Sequence, residues 1–289
     1  MPQIDFIIPA RNIDALHRTL SMLTFQKDRG FLAHIVDLTG TSAARAMAAE
    51  FDTRIPVEAV EPELTGEPLW KQCLAAAPSA EWVCFLGTDV DLTDSSVRRM
   101  SRCIDGHPGY DVFHWNLAEP NRKFGLRTRP DKLFTLVFVE GGAAPLSSFV
   151  FRAQALREAF EADPEASGAD LSVVLAGAKK TGIRSVRWER IGFRAPAVSD
   201  DPAREEKDVR ARLAFFRWSE RYFGEDHPLG TGDRLKLYAG ELARLYPSFT
   251  YEELKEDLNT FPTVSGPIRK MKAASALKAA LKARQESLR

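Results

Sequence analysis

The sequence has no apolar run approaching the ~18 residues that a membrane-spanning helix needs, so none is expected to cross a bilayer. Its opening, MPQIDFIIPARN, lacks a basic segment followed by an apolar one, so no signal peptide is expected. Cysteine is scarce. Cys73, Cys84 and Cys103 form no CxxC pair, and three thiols cannot all pair with one another. That usage predicts reduced thiols in a cytoplasmic protein, not a disulfide scaffold. The five histidines, His17, His34, His107, His114 and His227, show no metal-ligand spacing. There is no excess of either charge, with 40 Lys and Arg against 40 Asp and Glu. A nucleic-acid-binding chain usually shows a basic excess, so no nucleic-acid partner is expected. Internal repeats and low-complexity tracts are also missing.

What is present is ordinary globular composition, 44% apolar and 28% charged over 289 residues. Such a chain can bury a sizeable core in one large domain or two modest ones. Two styles of sequence divide it. Residues 1–195 alternate short β-rich runs with helical patterns, and residues 196–289 read as helix alone.

In the first part, strands are expected at Ile4–Ile8 (stopped by Pro9), Leu32–Leu38, Val57–Val60, Trp82–Leu86 and Tyr110–Leu117. Helices are expected between them. One is capped by Asn12 and carries Leu16, Leu20 and Leu23 on one face as far as Gly30. The next is capped by Thr41 or Ser42, a third runs from Pro68 to Ala77, and a fourth is capped by Asp94. Further strands are expected at Phe149–Phe151 and Ile183–Trp188, flanking a helix over about Asp170–Lys179. Ala118–Ser148, with Arg122, Lys123, Arg127, Arg129 and a GGAAP turn, reads as a long loop or hairpin over the active edge.

This alternation predicts an α/β fold, a mostly parallel sheet sandwiched by helices and followed by a helical C-terminal region. Right-handed crossovers gather the carboxyl ends of the strands at one edge, where such sheets bind ligands. The loops Pro9–Asn12, Asp37–Thr41 and Thr88–Asp91 fall on that edge.

Three acidic segments can carry chemistry. The run AEWVCFLGTDVDL ends an apolar strand in Asp89 and Asp91, carboxylates suited to a hard divalent cation that grips a diphosphate. The same residues also suit a polar turn. Asp37 ends the second strand, where it can accept hydrogen bonds from a base or a ribose, or simply enter a helix. Asp170 lies near a helix start, as a cap favoured by the dipole or as a general base. Arg11 can face a phosphate, stack on a base, or stay solvated.

Taken in order, these segments resemble the inverting family-two glycosyltransferases of GT-A fold, a Rossmann-like nucleotide-binding sheet. The resemblance covers about residues 3–195. Pro9, Ala10, Arg11 and Asn12 stand at the family's Pro-Thr-Tyr-Asn-like turn. Asp37, followed by Leu38, Thr39 and Gly40, stands at its Asp-Asp-Gly-Ser-like turn. The run Ala80–Val90 stands at its Gly-Glu-Tyr-Ile-x-Phe-Leu-Asp-x-Asp-Asp-like segment. Gly87 and Val90 take acidic positions of that segment, Ala169 takes the place of a Glu, and Ala10 and Arg11 replace Thr-Tyr.

The resemblance implies a nucleotide-sugar donor, a UDP-sugar above all, and a carbohydrate or lipid-linked acceptor. Pro9, Arg11, Asp37, Thr88 and Asp89 would hold the donor. Asp89, with Asp91, would hold Mn²⁺ or Mg²⁺. Asp170 would be the catalytic base, with Glu165 and Asp163 as alternatives. Arg127, Arg129 or Lys71 would add positive charge near the phosphates. The rival readings are a nucleotidyltransferase, which the lack of a Gly-rich loop after the first strand disfavours, and a non-catalytic scaffold on a decayed transferase domain.

In the last third, helices are expected at about Pro202–Phe223, Asp233–Tyr246, Thr250–Leu258 and Pro267–Leu288. From Pro267 to the last residue, Arg289, the chain holds seven basic residues and one acidic residue. Its stripe Ala274, Leu277, Leu281 and Leu288 either lies on an anionic bilayer at the inner face of the membrane or packs on protein, of this chain or of a second copy. Packing is favoured, since the stripe has no Trp or Phe to anchor it in lipid.

Overall fold

The computed structural model describes residues 3–60, 68–87, 90–115, 125–139, 145–186, 191–193 and 202–287. The chain forms two compact units, Met1–Pro196 and Ala197–Arg289.

The first unit runs β1 (Ile4–Ala10), α1 (Ile13–Thr24), β2 (Phe31–Asp37), α2 (Ala43–Phe51), β3 (Val57–Val60), α3 (Leu69–Ala75), β4 (Trp82–Phe85), β5 (Val90–Asp91) and α4 (Ser96–Gly106). It continues through β6 (Val112–His114), β7 (Arg127–Thr128), α5 (Pro130–Phe134), β8 (Phe149–Arg152), α6 (Ala153–Ala162), α7 (Asp170–Gly177), β9 (Ile183–Ser185) and β10 (Gly192–Phe193). Eight strands form one sheet in the order β3-β2-β1-β4-β8-β6-β9-β7. Strands β1 to β4 run parallel, as does β9 beside β6, while β8 and β7 run against their neighbours. The expected mostly parallel sheet between helices is present. β5 and β10 pair separately as an antiparallel ribbon.

The alternating apolar residues of the strands fill both sides. On one side Phe6, Ile8, Ile35 and Cys84 pack with Leu16, Leu20, Val97 and Met100. Burying a side chain such as Phe6 stabilises by about 1.5–3 kcal/mol. Elsewhere the close seat of α7 depends on Gly177, where a Cβ would come within 3.1 Å of both Leu156 and Phe151.

Several boundaries differ from the sequence reading. β1 continues through Pro9 to Ala10. The Ile7 carbonyl accepts from Leu86 N–H at 2.9 Å on the β4 side. Pro9, two residues on, faces the same side, beyond the last β1–β4 pair at Phe85, so its missing N–H leaves no ladder bond unmade. Asn12 caps α1 by accepting from Ala15 N–H at 2.9 Å, but the helix stops at Thr24, well short of Gly30. Asp94 does not cap α4. It pairs with Lys27 at 2.6 Å, a bond that holds its carboxyl below the usual range, and Ser95 takes the cap position.

The strand expected at Tyr110–Leu117 contracts to Val112–His114, and Asn116 and Leu117 lie outside the described residues. Ala118–Ser148 is not simply a loop. Its described part contains β7, α5, a wide helical turn over Thr135–Val139 and a short turn over Leu146–Ser148. Arg122, Lys123, the Gly141–Ala144 part of the GGAAP turn, and Arg187 and Trp188 lie outside the described residues. Helix α6 and the β5–β10 ribbon were not expected.

A polar chain, buried at Asp5 and His34 and exposed at Glu58, crosses three parallel strands. His34 on β2 bonds Asp5 on β1 through Nε2 at 2.9 Å and Glu58 on β3 through Nδ1 at 2.5 Å. Burial disfavours the imidazolium, but the two carboxylates outweigh it and raise the His34 pKa.

The second unit holds α8 (Pro202–Phe223), α9 (Thr231–Leu245), α10 (Tyr251–Asn259) and α11 (Gly266–Ser287). Tyr238 stacks on Phe261 with ring centres 4.0 Å apart. Glu220 accepts from Arg234 at 2.7 Å and from the Thr263 hydroxyl. α11 packs along α9 and α10 and buries Ala273, Leu277 and Leu281. The stripe thus starts at Ala273; Ala274 is half-buried and Leu288 lies outside the described residues. It is covered within its own unit, so any bilayer or second copy would meet the outward face of α11, which exposes Ile268 and Met271. No helix among the described residues is long and apolar enough to cross a membrane.

Candidate active site

The parallel strands β1, β2, β3 and β4 deliver their carboxyl ends to one edge, where sheets of this kind bind ligands and where the candidate residues are found. At the end of β2, Asp37 folds the chain back on itself. Its Oδ1 accepts from Thr39 N–H at 2.8 Å and from the Thr39 hydroxyl at 2.7 Å. Leu38 N–H donates to Ala10 O at 2.9 Å, tying the ends of β1 and β2 together. Gly40 follows with φ of +68°, a left-handed conformation that favours glycine.

Pro9 is half-buried within β1, and Arg11 is exposed just beyond it. The Arg11 guanidinium lies near enough to α3 to act on the Cys73 thiol. Burial pushes that thiol up to about 12, and Arg11 opposes the shift.

β4 ends in Leu86 and Gly87. Gly87 N–H donates to the buried Ser147 hydroxyl at 2.9 Å, which fixes where the chain leaves the sheet. Thr88 and Asp89 come next and lie outside the described residues. Asp91 is exposed on the β5–β10 ribbon, opposite Gly192. A Cβ at Gly192 would stand 3.2 Å from the Cβ of Asp91, so a larger residue there would push the ribbon apart by a few tenths of an ångström.

Asp170 reaches the same edge from the other end of the chain. α7 precedes β9, which runs parallel to β6, so α7 starts at the carboxyl edge and descends. α3 follows β3 and starts there too. Their first turns meet: the Trp70 indole N–H donates to Asp170 Oδ1 at 3.0 Å, across 100 positions of sequence. The Trp70 ring packs on Phe85, the last residue of β4, with centroids 5.2 Å apart. Asp170 is not the cap of α7. Ser172 fills that role, accepting from Ala169 N–H at 3.2 Å and donating to Ala166 O at 2.7 Å. Asp163 accepts from Glu165 N–H at 3.2 Å in the turn just before.

The edge therefore gathers Arg11, Asp37, Gly87 and Asp170, with Lys71 beside Trp70 on α3. It does not gather Arg127 and Arg129. β7 is four strand places from β4, roughly 19 Å at ~4.8 Å per strand. Arg129 is also paired there with Asp131, at 3.0 Å and 2.5 Å. Among the described residues no three His, Cys, Asp or Glu side chains cluster as a metal site. Asp89 lies outside the residues so searched, and carboxylates such as Asp89 and Asp91 are donors that suit Mg²⁺ or Mn²⁺, whose shells phosphate oxygens and water complete.

Sequence reading missed Trp70 and Ser147. A signal existed for Trp70, an aromatic in the first turn of a helix that follows a strand, hence on the ligand edge. Ser147 gave none, because its partner is 60 positions away. Ser147→Ala should leave Gly87 N–H without its acceptor and cost about 1 kcal/mol, since that amide is only half-buried. Denaturant unfolding checks this, and an unchanged midpoint contradicts it.

No protein-family model matches the chain, and no curated protein matches it in sequence. Solved structures do resemble it. Residues 1–349 of TarS from S. aureus align with a TM-score of 0.62 at 14% identity, covering 99% of this chain and 91% of that one. The same TarS fragment in complex with UDP-GlcNAc gives 0.60 at 13%, with the same coverage. PcManGT, a mannosyltransferase from Pyrobaculum calidifontis in complex with GDP-Man and Mn²⁺, gives 0.53 at 16%, covering 99% of this chain and 87% of that one. At these identities the likeness is one of fold. The order of strands and the helices on both faces agree with it, and the chain has a GT-A-like glycosyltransferase fold.

Proposed function

We infer that the chain is a glycosyltransferase that moves a sugar from a nucleotide-sugar donor, UDP-linked, to a hydroxyl acceptor with inversion. The observation that carries this reading is that Asp37, at the end of β2, and Asp170, bonded to the Trp70 that packs on the end of β4, both lie at the carboxyl edge of a GT-A-like sheet. The ligands of the structural neighbours, UDP-GlcNAc in TarS and GDP-Man with Mn²⁺ in PcManGT, support the donor class.

In this reading Asp37, with Oδ1 held by its own turn, receives the nucleoside, while Pro9, Arg11 and Thr88 line the donor. Asp89 and Asp91 would hold Mn²⁺ or Mg²⁺ against the diphosphate. Such a cation supplies Lewis-acid neutralisation of the leaving group. Asp170 takes the proton of the acceptor hydroxyl as its oxygen bonds the anomeric carbon. The bond from that carbon to the phosphate oxygen breaks on the opposite face, and its electron pair leaves with the nucleoside diphosphate. The acceptor is a carbohydrate or a lipid-linked one, met in the cytoplasm or at the inner face of the membrane.

Calorimetry of UDP with Mn²⁺ tests the donor site. Asp89→Asn keeps the side chain's shape and removes its charge, and it should weaken binding roughly tenfold or more, about 1.4 kcal/mol. Equal affinity in the variant, or in wild type with chelator present, overturns the reading. Donor binding without turnover of any UDP-sugar would instead support the non-catalytic scaffold.

A further inference from the structure

We propose that Trp70 is the positioning residue of the base. Its indole N–H holds the carboxyl group of Asp170 in place, and its ring ties that carboxyl group to the strand end that leads into the donor loop. The inference rests on the functional reading above and adds to it a residue that the sequence resemblance did not mark.

Asp170 is exposed at the first position of a helix, where an aspartate ordinarily samples several rotamers. The capping work that would fix it is done by Ser172. A second helix reaches it as well, through the 3.0 Å bond from Trp70 Nε1 to Oδ1. A donor facing a charged acceptor makes one of the stronger hydrogen bonds. It is useful only if the donor itself is fixed, and two features fix Trp70. Its backbone lies in the first turn of α3, and its ring rests on Phe85, buried at the end of β4. Phe85 is followed by Leu86 and Gly87, and Gly87 is pinned by Ser147, directly before Thr88 and Asp89. One aromatic side chain thus sits between the residue proposed to take the acceptor proton and the strand proposed to carry the donor. A general base must keep hydrogen-bond reach of the proton it removes, and a misplacement of about 1 Å can cost 10²-fold.

Trp70→Phe tests this with little loss of packing, because it keeps a ring against Phe85 and deletes only the indole donor. In an otherwise wild-type chain, kcat should fall roughly 10- to 100-fold, with the donor KM and the calorimetric affinity for UDP unchanged. In an Asp170→Asn chain the same change should have almost no further effect, because the group it positions is already disabled. Equal, additive losses in both backgrounds, or loss of donor affinity, overturn the positioning role. So does a Trp70→Phe enzyme with wild-type kcat.

Nuclear magnetic resonance reads the contact without turnover. The indole N–H signal that disappears in Trp70→Phe should move as the Asp170 carboxyl group is titrated, and should stay fixed in Asp170→Asn. A signal that does not move in wild type overturns the proposal whatever the enzyme does. A wild-type chain that transfers no sugar while the signal moves overturns the functional reading, and positioning of a base falls with it. A chain that transfers normally with an indifferent Trp70 overturns positioning alone.

Discussion

Asp170→Asn should lower turnover by ~10²- to 10⁴-fold, the usual contribution of a general base, and leave UDP affinity within twofold. The Asn keeps an oxygen that can accept from Trp70 Nε1, so the contact between α3 and α7 survives. What is lost is the ability to take a proton. Stability should change little, because Ser172 satisfies the start of α7 and the lost charge at its first position is worth only ~0.3–1 kcal/mol. Three measurements on one preparation check this: turnover per folded molecule, UDP calorimetry and thermal unfolding. A stable variant with wild-type turnover would remove Asp170 from the chemistry and turn attention to Asp163 and Glu165. A destabilised one with normal turnover would assign Asp170 a structural role at the start of α7 and not a chemical one.

The contrast between Asp170 and Trp70 shows what was legible in the sequence. The parallel core was legible because each apolar run is short, ends in a turn residue, and is followed by a helix with its own apolar face. Leu16, Leu20 and Leu23 are all buried where that pattern puts them. The edge was legible because crossover handedness alone sends Asp37 and the end of β4 to the same side. The antiparallel strands were harder. β8 inserts between β4, more than 60 positions before it, and β6, more than 30 before it, and no local pattern encodes that order. Asp94 illustrates the same limit. Its type and position suited a cap, but Lys27 from another loop claimed it. The region after β6 hid α5 and β7 because elements of five and two residues leave almost no periodic signal. α6 was overlooked although Leu156 and Phe160 fall on one buried face. The contacts that position Asp170 and Gly87, through Trp70 and Ser147, are long-range side-chain bonds, and only the folded chain brings them together.

As pH falls from 6.5 towards about 3, His114 should by itself take up to about 1.4 kcal/mol of stability per pH unit from the folded protein. The His114 ring is fully buried at the end of β6 and packs on Phe149 of β8 with centroids 4.8 Å apart. Its Nδ1 lies 3.5 Å from the Ser185 hydroxyl on β9. The neighbours on β8 and β9 thus offer a ring and a hydroxyl, neither of which carries charge. Desolvation pushes its pKa down to about 3, against 6.5 when exposed. Below pH 6.5 the unfolded chain therefore binds a proton that the folded chain refuses, so stability rises with pH through this window. The contribution is complete above about pH 6.5 and fades as pH falls towards 3. His34 works in the opposite sense and in another range. Its raised pKa gives stability that is complete below its unfolded value and is lost as pH climbs through the folded one. Its share is therefore nearly constant where His114 acts. His114→Gln removes the titration and keeps a neutral polar side chain of similar reach. Denaturant unfolding at pH 6.5 and pH 4.5 should show wild type losing roughly 2–3 kcal/mol more than the variant across that interval. Parallel losses in the two proteins would mean that His114 stays protonated in the fold. The carboxylates of Asp94, Asp131, Glu158 and Glu253, all held below their usual range by their partners, add acid sensitivity of their own. They are shared by both proteins, so the difference between the two slopes belongs to the buried ring.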